Sequence, residues 1–165
     1  HLTTIMYLDF ALRGVGIFGS ASFFGMTLSI STVTLPMILR HKQLSAKERV
    51  ELWSDLYDLV TKRWVPFGLL SAAAYCVAAL TTTEDKTLPA AAGVAMFSIL
   101  PLTLMFVFPS VHKLKSYLER GKFPSDGEAL ARLRKWGILH WSRTIAAGTA
   151  AMLGVVDLLQ LATRV

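Results

Sequence analysis

The chain has 165 residues, of which 53% are hydrophobic and only 17% charged, against about 25% charged in a soluble domain. With a mean hydropathy of +0.50, that composition excludes a disordered chain and argues against a water-soluble globule, and the length suits one unit, a single membrane domain over residues 1–165. The net charge is +6, but the basic residues lie in two connections beside apolar stretches, which is a membrane pattern and not a nucleic-acid surface.

The chain starts at His1 rather than Met, which reads as a trimmed or processed start. Residues 1–12 lack the charged region followed by an apolar run that marks a cleavable signal peptide. The first span is expected over about 14–39. Asp9, Arg13, Gly16, Ser20, Phe23, Thr27, Ile30 and Thr34 recur at alternating spacings of four and three, so they share one helix face. Ala21, Gly25 and Ser29 form a small-residue ridge suited to close helix packing. Pro36 removes a backbone donor, frees the carbonyl of Thr32 and should bend the inner end.

Residues 40–63 form a charged connection with six basic and four acidic residues. Ser45 with Glu48 is a capping-box pair, so a helix is expected from near Ala46. Trp53, Tyr57, Val60 and Trp64 follow at helical spacing, predicting an amphipathic segment along the membrane surface that feeds a second, alanine-rich span over about 64–81. A short turn leads to a third span over about 88–111, where Pro101 leaves the carbonyl of Phe97 without its normal donor. Cys76, the single cysteine, lies in an apolar run, gives no disulfide framework and reads as packing.

Residues 111–135 carry seven basic and three acidic residues, with a capped helix start expected at Ser125 or Asp126. The fourth span, about 137–161, is the most informative. Trp136, His140, Arg143, Ala147, Ala150, Gly154, Asp157 and Leu161 form one stripe, while Ile138, Ile145, Met152, Val155, Val156 and Leu159 lie off it, where lipid accepts them. The two long connections hold thirteen of the seventeen basic residues, which puts them on the cytoplasmic side and both termini on the other. The organelle is left open, with the endoplasmic reticulum as a guess. The expected fold is therefore all-α, an integral membrane four-helix bundle with amphipathic connections on the cytoplasmic side.

Several stripe residues admit two readings. Arg143 either staples helices or holds an anionic substrate oxygen, since no acidic residue is expected at its depth. His140 is either a buried histidine bonded to a neighbouring helix or a general base. Trp136 is either a belt residue at the interface or a stacking surface for an aromatic ligand. Arg13 and Asp157 read as a structural ion pair, with a proton path as the lesser alternative. His41, His112 and His140 end three spans at one level and are the set that could bind a metal ion, although nothing in their spacing forces them together. No phosphate loop or hydrolase elbow is present, and no cofactor is expected.

The order of Pro36, Trp53 and Tyr57, Pro101 and Thr103, Pro109 with Leu114, and Trp136-x3-His140-x2-Arg143 resembles the anthrone oxygenase family of small four-helix membrane proteins, many found beside fungal polyketide pathways. The resemblance covers almost the whole chain. It implies a nucleotide-independent monooxygenase in the bilayer, an oxidoreductase of polyketide biosynthesis acting with O2 on a hydrophobic aromatic such as an anthrone. His140 and Arg143 would be catalytic, and Trp136, Trp141 and Tyr75 would line an aromatic pocket. Members often carry an asparagine after the proline that ends the third span; here Pro109-Ser110-Val111-His112 has none, so if that amide holds substrate, this chain either substitutes His112 or does something else. A membrane cyclase or isomerase, and a non-catalytic subunit or homo-oligomer of a membrane assembly, are the alternatives.

Overall fold

The computed structural model describes residues 2–82 and 85–163, with side chains from Tyr7 onward. His1, the suggested processing point, lies outside the described residues. The chain is helical throughout, with no strand among the described residues. Four helices, α1 (Tyr7–Arg40), α2 (Ala46–Thr81), α3 (Thr87–Arg120) and α4 (Asp126–Ala162), are each long and apolar enough to cross a membrane. They pack as a ring in chain order, α1 against α2 and α4, and α3 against the same two. This is the four-helix membrane bundle expected from the sequence.

The spans are longer than the sequence suggests. At ~1.5 Å per residue, the 36 residues of α2 reach about 54 Å, well beyond a hydrocarbon core of roughly 30 Å. Residues 46–63 therefore do not lie along the surface: they are the first half of the same helix, and they rise out of the membrane inside the bundle. Trp53 is fully buried there, in a core with Val50, Val107, Leu114, Leu133 and Trp136. The helix starts follow local chemistry. Ser45 and Glu48 cap α2 reciprocally, Ser125 accepts from the Glu128 amide at 3.4 Å to start α4, and Gly121 ends α3 at φ 61°, a left-handed conformation glycine adopts without strain.

Two π turns interrupt the ladder, Ile30–Thr34 in α1 and Thr103–Val107 in α3. In the first, the Leu35 amide reaches back to the Ile30 carbonyl. In the second, the Phe108 amide reaches the Thr103 carbonyl. Each wide turn ends two residues before a proline, Pro36 or Pro109, whose ring would press on the carbonyl four residues back in an ordinary α turn. The irregularity of α3 thus sits ahead of Pro109; Pro101 stays inside regular helix.

Every residue of the α4 stripe from Trp136 to Leu161 is buried, and the α1 stripe from Arg13 to Ile30 is buried with it. The two stripes meet. Arg13 Nε donates to Asp157 at 2.6 Å across the α1–α4 seam, and the same guanidinium pairs with Asp9. The ion pair expected between Arg13 and Asp157 is thereby present, with Asp9 as a third member.

The small-residue ridge is a correction. Ala21, Gly25 and Ser29 face outward, and a Cβ on Gly25 would meet nothing within 4 Å. Close approach happens one face round, where a Cβ on Gly19 would sit 2.8 Å from the Phe67 carbonyl oxygen and 2.8 Å from Ser71 Cβ. Backbone cannot give way there. Gly19→Ala is therefore expected to lower stability by about 1–3 kcal/mol despite its better helix propensity, while Gly25→Ala leaves the melting temperature in detergent unchanged or raised. Equal melting temperatures for the two variants would contradict this packing.

Candidate active site

The site is built around α4 where it enters the bundle from the basic end. Trp136, His140 and Arg143 follow one another by single turns on the buried stripe, so their side chains stack along the helix axis. The Trp136 and His140 rings lie parallel, with centroids 4.8 Å apart and an interplanar angle of 19°. From α2, Trp53 packs edge-on against Trp136 at 5.4 Å and stacks on Tyr57 at 5.5 Å. Trp136, expected at an interfacial belt, is instead 1% exposed. Its indole is the wall that fixes the imidazole plane.

His140 is fully buried and Arg143 nearly so. The Arg143 Nη2 group hydrogen-bonds His140 Nδ1. A guanidinium can only donate, so Nδ1 is the acceptor and the neutral ring carries its proton on Nε2. One buried donor, Arg143 Nε, then remains without a protein partner, while the imidazole meets the Thr27 backbone on α1. No carboxylate among the described residues pairs with Arg143. A buried guanidinium held only by an imidazole is an arrangement with room for an anion.

Arg143 forms the inner end of a cleft of about 90 Å³ between α2 and α3. Tyr57 and Thr61 flank the guanidinium, and a smaller void of about 20 Å³ shared by Tyr57, Trp136 and Arg143 continues behind it. Farther out the walls are apolar: Gly68, Leu69 and Ala72 on one side, Met96, Phe97 and Leu100 on the other. Leu69 and Phe97 are 48% and 57% exposed on the outer surface, so the mouth faces lipid. Thr103 lines the cleft and Ile30 the smaller void, and these residues open the two π turns. The widened backbone therefore borders the Arg143 compartment from both sides.

Of the residues singled out by sequence, the structure brings together Trp136, His140 and Arg143. It does not bring Tyr75 to them. The Tyr75 hydroxyl donates to the Ala150 carbonyl at 3.2 Å and lies 3.2 Å from Ser20 Oγ, while its ring fills the space left by Gly16. Tyr75 is thus seated in the α1–α4 seam, away from the cleft lining. Trp141 points off the stripe and is 39% exposed, because one residue past His140 turns to the outer surface. His112 and His41 are exposed. Among the described residues no group of His, Cys, Asp or Glu is gathered for a metal ion, so the trio of His41, His112 and His140 is not assembled. Cys76, read as packing, is exposed on the outer face. Tyr57, Thr61 and Thr103 were missed as cleft residues. The line Tyr57, Thr61, Val65, Gly68, Ala72 at helical spacing carried that signal, hidden by reading the first half of α2 as a surface segment.

The fold and site together define a small multi-pass helical membrane protein with a buried cationic site at the end of an apolar cleft. A family model described as anthrone oxygenase matches residues 53–153, and the chain belongs to that family. The match contains Trp53, Tyr57, Thr103, Trp136, His140 and Arg143, and its family points to an oxygenase-like role. No curated protein and no solved structure matches the chain.

Proposed function

We propose that this protein is an integral-membrane oxygenase that oxidises an anthrone-like or other electron-rich polycyclic phenol with O2. The observation that carries this reading is the buried, carboxylate-free guanidinium of Arg143 at the inner end of an apolar cleft that opens to lipid. Flat phenolic ketones partition into the bilayer, and their edge carries one oxygen that becomes anionic when the opposite methylene loses a proton. The substrate slides between α2 and α3 with that oxygen inward, where Arg143 Nε and Nη2 receive it.

Taking up the substrate oxygen draws Arg143 away from His140 and releases the Nδ1 lone pair. The substrate binds as its enol tautomer, so the proton lost from the methylene sits on the inward oxygen; Nδ1 removes it there, and Arg143 stabilises the enolate in a water-poor site. The carbanion carbon gives its electron pair to O2 in two one-electron steps, forming a C–O bond, and the peroxide takes up a proton that balances the one His140 gives back as it returns to the neutral ring. Loss of the second C–H proton with cleavage of the O–O bond yields the quinone carbonyl and one water. Tyr57 and Thr61 offer hydroxyls to the substrate edge, and Trp136 keeps the imidazole in plane. The chemistry uses these residues, the substrate and O2, with no cofactor. The basic connections lie on the cytoplasmic side and the termini opposite, as the charge distribution favours.

The test is oxygen uptake by the purified protein in nanodiscs offered a panel of anthrones, with His140→Ala beside it. Uptake that yields quinone and is lost in a folded His140→Ala protein supports the reading. Absence of uptake from folded wild-type protein overturns it for those substrates. The outward ridge of Ala21, Gly25 and Ser29 favours a second reading, a subunit that packs against another helix. In that case Gly25→Leu on that ridge releases a co-purifying partner or a second copy, and the folded wild-type protein turns over no anthrone.

A further inference from the structure

A second cleft, of about 260 Å³, opens between α3 and α4 at the basic end of the bundle, lined among others by Phe106, Ser110, Lys113, Arg132, Lys135 and Leu139. We propose that it is a binding site for the anionic phosphate headgroup of a membrane phospholipid. Phe106, Ser110 and Lys113 share one face of α3, and Arg132, Lys135 and Leu139 share one face of α4. The two helices run in opposite directions, so both faces grade the same way: cations at the outer end, apolar groups at the deep end. Phe106 is 53% exposed beside the outward-facing Met105 and Ile138, which marks the depth at which acyl chains begin. Lys113 and Lys135 are exposed at the level where that apolar ring stops.

The headgroup end is built, not merely charged. Glu128 accepts from Arg132 Nε at 2.9 Å and from the Tyr117 hydroxyl at 3.0 Å, and the Arg132 guanidinium lies over the Tyr117 ring at 5.7 Å. Lys113 sits 6.0 Å from the same ring centroid. Glu128 is thus the one carboxylate in this network, set against three cations around the cleft. Cations above, a hydroxyl from Ser110 between, and an aromatic and a leucine below match a phospholipid read from phosphate to acyl chain. A free phosphate ion matches only the upper half. Basic clefts between transmembrane helices at a membrane surface take anionic headgroups for this reason.

The test titrates delipidated protein in neutral detergent with dioctanoyl phosphatidylglycerol, dioctanoyl phosphatidylcholine or inorganic phosphate, followed by native mass spectrometry. Phosphatidylglycerol is expected to bind as one adduct, at least about tenfold tighter than phosphatidylcholine. Lys113→Gln/Lys135→Gln is expected to weaken it roughly thirtyfold, with the Arg132–Glu128 pair left in place and the melting temperature of the lipid-free protein unchanged. Lys42→Gln/Lys122→Gln, which removes the same charge elsewhere in the basic connections, should not weaken it. Equal binding of the two lipids, an unaffected Lys113→Gln/Lys135→Gln variant, equal loss in the control variant, or displacement by inorganic phosphate at the lipid's own concentration would each overturn the proposal. None of these outcomes depends on oxygenase activity.

Discussion

Replacing Arg143 by glutamine is expected to lower anthrone-dependent oxygen uptake by about 10²–10³-fold, the usual effect of deleting a preorganised donor from a site where an oxyanion develops. Glutamine keeps a donor and most of the side-chain length, so the aromatic stack of Trp53, Trp136 and His140 retains its packing and the bundle stays folded. The loss should fall on kcat more than on KM, because the apolar walls that hold the rings are untouched and the guanidinium acts on charge that appears only after the proton leaves. Arg143→Lys is expected to recover little of it. One ammonium cannot present two donors to the substrate oxygen with the fixed spacing of Nε and Nη2. Turnover within threefold of wild type in a folded Arg143→Gln protein would remove Arg143 from the chemistry and leave it a helix staple.

The second large effect lies at the other end of the same stripe. Asp157→Ala is expected to cost about 3–5 kcal/mol of stability, read as a large fall in the melting temperature in detergent. Arg13 is 1% exposed and Asp157 5%, so removing the carboxylate leaves a guanidinium in the seam with Asp9 alone to balance it. Because an arginine cannot shed its proton there, the charge stays and the fold carries the cost. The double variant Arg13→Met/Asp157→Leu should recover most of the loss, since a packed apolar pair can replace a buried ion pair at little cost. Turnover per folded molecule should be unchanged in Asp157→Ala. A melting temperature equal to wild type would mean that water reaches the seam.

The contrast between the two ends explains what was legible in the sequence. Alternating four-and-three spacing placed Arg13 and Asp157 each on a polar stripe of its own helix and His140 beside Arg143, because a helix converts spacing into direction; that the two stripes face each other is seen only in the packing. Capping chemistry at Ser45 and Ser125 is equally local, so both helix starts could be read. Which small-residue line meets a neighbour was not legible. Ala21, Gly25 and Ser29 and the nearby Gly16 and Gly19 have similar local sequence, and only the placement of Tyr75, Phe67 and Ser71 on α2 decides between them. The cleft was hidden for a related reason. Tyr57 and Thr61 are polar residues in a charged stretch, and they become interior only because α2 continues unbroken past the membrane and stacks Trp53 on the α4 aromatics. Tyr75 shows the opposite error: an aromatic at mid-membrane looks like a ligand wall until its hydroxyl is seen bonded to Ala150. The π turns were half legible: Pro36 announces a disturbed ladder in α1 but not the wide turn that resolves it, whereas in α3 the sequence points to Pro101 and the wide turn sits ahead of Pro109.

The most direct measurement is turnover of an anthrone by the nanodisc-embedded protein under 18O2, with the quinone and the consumed oxygen both quantified. The proposed chemistry predicts one O2 consumed per quinone formed, one labelled oxygen atom in the new carbonyl, and the second in water. Quinone carrying oxygen from unlabelled water, or quinone formed at the same rate by protein-free nanodiscs, would contradict an oxygenase centred on Arg143 and His140.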